Sequence, residues 1–401
     1  MLVIFSHAYV IATGVEEAEP LVRLLGPGHI LGLYSVFTFF IISGFLLSRS
    51  LSSSPSAVTF VVNRTLRILP AFALCTVVTA FVIGPAFSAV GARQYFSSAL
   101  PFDFVHLSLA TFERTTLSGL FNYPGNPDLA EVVNGSLWSL RYEALSYVFL
   151  LVSWAIAPSI GFRACTTGLT ALVVWLFPRP YLLTGIAYTL PYFAAGVVMH
   201  WIHSRYGTRA AGAWWAAALL VAACVLGVQH DAFAPLGAYL VIFLGERSNL
   251  GSRLAAKMGD CSYGLYLYGW PAEQMVKQVT HTTSPFVLFA LALPLALGFA
   301  LVSYHFIEAP AMRLRWVAAA RLKGGLAWML AQAGAGRGVA VVAARASFVA
   351  ATVAILCSGR WWDFALSMFE IMLCTLVGSV LAVACYQLGA SFRDRLQAAH
   401  G

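Results

Sequence analysis

Long apolar stretches, separated by short polar punctuation, run through nearly the whole chain. A helix needs about 20 apolar residues to cross a bilayer. The pattern predicts a short first span at Met1–Thr13. Further spans follow at roughly 30–48, 67–88, 137–157, 163–178, 182–202, 211–228, 232–245, 261–279 and 285–307. The tail adds one clear apolar stretch, Phe364–Gly389, and a weaker one near Ala346–Cys357. The expected fold is all-α: a polytopic membrane protein of about ten transmembrane helices. Its first helix is truncated, and the tail offers one or two further C-terminal spans.

Composition agrees with this pattern. The 401 residues are 60% hydrophobic and only 10% charged, where a soluble domain carries about 25% charge. The net charge of +8 is therefore read as loop decoration. No Lys/Arg run of the kind that binds nucleic acid is present, so no nucleic-acid partner is expected. The seven cysteines are scattered, form no CxxC pair and lie mostly in apolar stretches. They read as buried thiols, with neither a disulfide framework nor a zinc site. The N-terminus shows no basic n-region and no small-residue cleavage site.

Lys and Arg in the loops set the orientation. Arg49, Arg64, Arg67, Arg163, Arg205, Arg209, Arg247, Arg253, Lys257, Arg313, Arg315, Arg321 and Lys323 fall on one side. The other side holds only Arg23, Arg93, Arg114, Arg179 and Lys277. The first side is expected to be cytoplasmic. The Glu16-Glu17-Ala18-Glu19 loop and the long segment 87–135 then face outward. That segment carries the turn-forming run NYPGNPD at 122–128.

Ionisable groups at membrane depth cost a few kcal/mol each, which makes them functional candidates by default. His7 lies in the first span, roughly two helical turns from its outer end. It is either a general base or an interfacial histidine bonded to a neighbouring helix. Glu143 sits in NGSLWSLRYEALSYVF, near the outer start of the fourth span. Arg141 is two residues earlier and points to another helix face, so each needs a partner elsewhere. Asn134, Ser136 and Trp138 enrich the same rim. Arg64 and Arg67 are three apart at the cytoplasmic mouth of the third span. Their guanidinium forks suit phosphate or carboxylate, although a plain positive-inside signal explains them as well. Ser43-Gly44 allows a close helix approach or a kink in the second span. His305 and Glu308 close the tenth span, where Pro310 is expected to stop the helix.

Six stretches, in order, resemble the acyltransferase-3 family of integral membrane acyltransferases. They are SHAY at 6–9, FFIISGFLLSR at 39–49, RTLRILP at 64–70, NGSLWSLRYE at 134–143, SYGLYLYGWP at 262–271 and FIEAP at 306–310. The resemblance covers about residues 1–315, leaving 316–401 as a C-terminal extension of unassigned role. It implies an O-acyltransferase that moves an acyl group, often acetyl, to a hydroxyl. The implied donor substrate is a cytoplasmic acetyl-CoA or another acyl-CoA, with no bound cofactor and no metal. The implied acceptor is an extracytoplasmic or lipid-linked glycan, in a bacterial cytoplasmic (inner) membrane, with lipid as the other partner. On this resemblance His7 is catalytic and Arg64 and Arg67 hold the donor. The fourth-span motif's Glu maps onto Glu143, and a carboxylate such as this one is suited to orienting the imidazole or stabilising its charged form. The motifs also map onto Trp138 and Glu308 as supporting residues; beside them, Ser43 and Arg141 are candidate support on their own chemistry, Arg141 as an oxyanion donor.

The family's first helix usually carries an arginine about three turns before the histidine, so a longer helix is implied than Met1–Thr13. The family often has His where Gly269 stands in YLYGWP. Two other readings compete: a transporter or exporter without covalent chemistry, and a catalytically inactive relative. Transporters often show internal repeats, and none is visible here.

Overall fold

The computed structural model describes residues 1–332, apart from 55, 113–115, 118–119, 122–130, 157–158, 162, 166, 169–170, 172–183, 249–252 and 254–255. Among these residues the architecture is all-helical, with a single isolated β-bridge between Thr116 and Val132. Helix α1 spans Leu2–Thr13 and the loop after it carries the short α2, Pro20–Leu25. Then come α3, Leu31–Ser53, and α4, Ala57–Val78. A π turn at Thr79–Ile83 extends α4. The outer segment contributes α5, Gly91–Ser97, and α6, Leu100–Thr111. The remaining helices are α7, Trp138–Ile156; α8, Thr184–Tyr206; α9, Ala210–Val225; and α10, Ala238–Arg247. They are followed by α11, Ser262–Thr280; α12, Pro285–Ser303; and α13, Arg315–Gln332.

Three helical stretches among the described residues are long and apolar enough to span a membrane: Leu31–Ser53, Ala57–Phe87 and Pro285–Gly324. Leu2–Thr13 and Ala210–Val225 are apolar but shorter. The other expected spans that can be followed are helices too, but α7 and α11 carry polar and charged residues along their length. Most of the stretch expected at 163–178 lies outside the described residues, as do both apolar stretches of the tail. Apolar side chains left on the surface, such as Phe39, Ile42 and Leu46 on α3 and Trp214, Trp215 and Leu219 on α9, form stripes suited to lipid.

Three expectations need revision. The hydropathy pattern starts the third span at residue 67, but α4 begins at Ala57. Ser56 caps it by accepting from the Thr59 amide at 3.4 Å. Arg64 and Arg67 therefore stand about two and three turns into the helix. Pro310 does not stop the helix. A π turn, Tyr304–Glu308, and a further helical segment, Ala309–Arg313, carry it on with the proline in the first turn of that segment. There its missing N–H goes unneeded. The turn buries Glu308 and leaves His305 exposed. Finally, Ser43-Gly44 leaves α3 one uninterrupted helix and serves close approach instead. A Cβ on Gly44 would strike the Phe193 carbonyl of α8, and one on Gly196 of α8 would strike the Ile41 carbonyl. The two glycines let these backbones touch, as small residues do between membrane helices.

Around this α3–α8 contact lies a core of Phe37, Phe40, Ile41, Tyr192, Phe193 and Val197. Helix α1 packs against α3, α11 and α12. On the arginine-rich side α13 folds back on α4 through Ala319, Val58 and Val62.

Candidate active site

Three contacts fix α1. Gly14 ends it in the left-handed conformation, with φ 79° and its amide donating to the Val10 carbonyl. Lys277 of α11 donates to the Ala12 carbonyl at 3.0 Å and to the Thr282 carbonyl at 2.8 Å. Glu19, fully buried, accepts from Ser6 Oγ at 3.0 Å, Leu31 N at 2.7 Å, Leu21 N at 2.8 Å and Val22 N at 3.2 Å. That carboxylate ties the outer loop and the start of α3 to the residue beside His7.

His7 then faces α11. Its ring stands edge-on to Trp270, centroids 4.7 Å apart. Its Nδ1 lies 3.8 Å from Glu273 Oε2, too long for a hydrogen bond. Glu273 is completely buried. Among the described residues neither of its oxygens has a hydrogen-bond partner, nor does His7 Nδ1. Native proteins leave few buried polar atoms unpaired, and a carboxylate facing an imidazole suits base catalysis. It favours the tautomer with the proton on Nδ1 and leaves Nε2 to accept one.

The segment 131–137 is bonded to α11 beside this pair. Trp270 Nε1 and Gln274 Nε2 donate to the Val132 carbonyl at 3.0 and 2.7 Å. Asn134 Nδ2 donates to the Leu267 carbonyl at 2.9 Å. The Tyr266 hydroxyl donates to the Ser136 carbonyl at 2.8 Å. Gly135 lies against Trp270; a Cβ there would come within 2.8 Å of the ring. The NGS of the fourth motif thus docks its backbone onto α11.

On the arginine-rich side of the same helices is a cavity of 470 Å³. Arg64, Arg67, Asp260 and Ser262 line it, as do Ser43, Ser139, Glu143, Tyr147, Tyr263 and Tyr266, and Met1, Val3 and Ile4 of α1. Its polar groups are mostly paired. Arg67 reaches Asp260 Oδ2 at 2.6 Å and the buried Glu308 Oε2 at 3.4 Å. Ser303 donates to the other oxygen of Glu308 at 3.2 Å. Glu143 accepts from the Tyr147 hydroxyl, which also lies 3.4 Å from Ser43 Oγ. Tyr263 keeps a buried hydroxyl without a partner among the described residues.

The cavity therefore brings together Arg64, Arg67, Ser43 and Glu143, with Glu308 behind Arg67. Trp138 and Arg141 stand outside its lining. Trp138 is half-buried against the Tyr142 ring, and Arg141 is half-buried on the same helix, α7. The carboxylate beside His7 is Glu273, where the resemblance points to Glu143. Sequence reasoning misses Glu273 because the ninth-span motif ends at Pro271, two residues short of it. The signal is present all the same. Glu273 is a carboxylate in an apolar span, the kind of residue that is a functional candidate by default.

The cavity and the buried His7–Glu273 pair lie within one bundle of helices. The acyltransferase-3 model, described as an acyltransferase domain, matches residues 1–305. The chain belongs to this family and is an integral membrane acyltransferase. Among curated proteins it is 26% identical over 312 residues to an O-acetyl transferase of Shigella phage Sf6, covering 70% of this chain and 84% of that one. It is 28% identical over 365 residues to nodulation protein 10 of Rhizobium leguminosarum bv. viciae, covering 80% of this chain and 92% of the other. No solved structure matches.

Proposed function

We propose that this protein is an O-acetyltransferase of the bacterial inner membrane. It takes acetyl from cytoplasmic acetyl-CoA and transfers it to a hydroxyl of an extracytoplasmic or lipid-linked glycan. The observation that carries this reading is the unpartnered His7–Glu273 pair, set one helical turn beyond a cavity that holds Arg64 and Arg67. The printed name of the phage relative supports the O-acetyl assignment.

In this reading the two arginines receive the phosphates of the donor, for which guanidinium forks are suited. Ser43, the Glu143–Tyr147 pair and Tyr263 line the path of the thioester arm. At His7 the acceptor hydroxyl gives its proton to Nε2, and its oxygen bonds to the acyl carbon. The carbon–sulfur bond breaks, and the proton passes from the imidazolium to the departing thiolate. Glu273 stabilises the imidazolium between these events. The products are the ester and free CoA thiol, so the proton and the bonds balance.

The test is incorporation of label from radioactive acetyl-CoA into envelope glycan by membranes carrying the protein. Incorporation that disappears in His7→Ala, with the variant present at wild-type level, is the expected result. Full transfer by His7→Ala removes the assignment. Movement of unmodified glycan without an acylated product replaces it with transport.

A further inference from the structure

One side chain of α1 lines the cavity and stands a single helical turn from His7. Ile4 lines the cavity, is 2% exposed, and lies three residues before His7 on the same face of α1. Opposite it, Leu265, Gly269 and Glu273 recur every four residues along one face of α11. The two stripes meet as Ile4 on Gly269 and His7 on Glu273. Gly269 makes room for Ile4: a Cβ there would come within 2.8 Å of Ile4 Cγ1 and 3.1 Å of Cδ1. Leu265, which packs in the same cluster as Ile4, closes the cavity wall beside it.

We propose that Ile4, seated on Gly269, sets the length of the acyl group this enzyme transfers. The inference rests on the acyltransfer reading above. On that reading, an acyl thioester reaching from the cavity toward His7 runs along the α1 face that carries Ile4. The rise from Ile4 to His7 is about 4.5 Å, three residues at about 1.5 Å each. A β-branched side chain in a helix is held in one χ1 rotamer, so Ile4 does not swing aside readily. A two-carbon acyl group fits past such a step, and each added methylene meets it. Ile4 is therefore a specificity-determining residue, and Gly269 is the residue that seats it.

The experiment compares acetyl-, propionyl- and butyryl-CoA as donors. Wild type, Ile4→Ala, Ile4→Val and Gly269→Ala are assayed in membranes that carry the acceptor, with His7→Ala as background. Release of CoA thiol and labelling of envelope glycan are both read. Wild type should favour acetyl over butyryl by at least about tenfold, the range that a methylene or two commands in a tight apolar site. Ile4→Ala should raise the butyryl-to-acetyl ratio about tenfold. Gly269→Ala, which forces Ile4 into the passage, should lower transfer from every donor. If Ile4→Ala is lost from the membrane, Ile4→Val carries the test through a raised propionyl-to-acetyl ratio. An unchanged ratio in the variant that is present at wild-type level overturns the proposal, while acetyl transfer by wild type leaves the parent reading in place. No donor consumed by wild type above the His7→Ala background removes the parent reading itself.

Discussion

On the arginine side of Ile4, the carboxylates of the cavity have partners. Arg67 holds Asp260 and Glu308, and Tyr147 holds Glu143. On the other side, Glu273 is completely buried, 3.8 Å from the His7 imidazole. Both its oxygens, and His7 Nδ1, lack a hydrogen-bond partner among the described residues. The same helices, α1 and α11, border both regions. The Arg67–Asp260 pair, exposed at Asp260, can exchange partners with an incoming charged ligand at little net cost. An unpaired buried carboxylate costs stability, and local costs of that kind persist at sites where function uses them. On the proposed function, recognition belongs to the first region and chemistry to the second.

Four variants test that division, in descending order of their expected effect on transfer. Glu273→Gln keeps the shape and removes the acidic group. It should lower kcat by about 10²–10³-fold and leave KM for acetyl-CoA nearly unchanged. A rise in KM with kcat intact would place Glu273 in recognition and break the division. Arg67→Ala should do the opposite, raising KM for acetyl-CoA about 10–100-fold, the worth of a charge-assisted hydrogen bond. Arg67→Lys should recover part of the loss, and free CoA should compete poorly with either variant. A pure kcat defect would count against a recognition role.

The third variant tests whether the histidine side depends on the outer knot. Glu19→Ala removes an acceptor serving Ser6, Leu21, Leu31 and Val22. It should cost about 3 kcal/mol of stability, seen as a lower unfolding temperature in detergent, and kcat should fall more than KM changes. An unfolding temperature equal to wild type would show that the knot is dispensable. The smallest effect is expected from Asp260→Asn. Its partner Arg67 is freed for the donor, and the Asp260 side chain is 55% exposed. Exposed ion pairs are worth about 0–1 kcal/mol, so KM should fall by no more than about fivefold. A large rise in KM would mean that Asp260 positions Arg67 and does not compete for it.

Much of the candidate site is legible in the chain. His7 stands out as an imidazole in an apolar run. The spacing of Arg64 and Arg67 puts both on one helix face, and both line the cavity. Glu273 is equally legible by the same rule, yet the motifs favour Glu143. Nothing in the local sequence says which of two buried carboxylates lies beside a histidine on a distant helix. Gly269 shows the limit from the other direction. In the sequence it is a departure from a resembling family; in the fold it is the seat of Ile4.

The sequence by itself determined the helical membrane class, the charge asymmetry of the loops and the residue types able to carry acyl transfer. Those follow from hydropathy, charge and chemistry, which are properties of a residue and its near neighbours. The tertiary structure decided which carboxylate faces His7, that the arginines share a cavity with Glu143, and that Ile4, on the cavity wall, packs on Gly269. Those depend on which faces of distant helices meet. Close contacts at small residues, Gly44 with Phe193 and Gly269 with Ile4, set that meeting, and no local pattern encodes them.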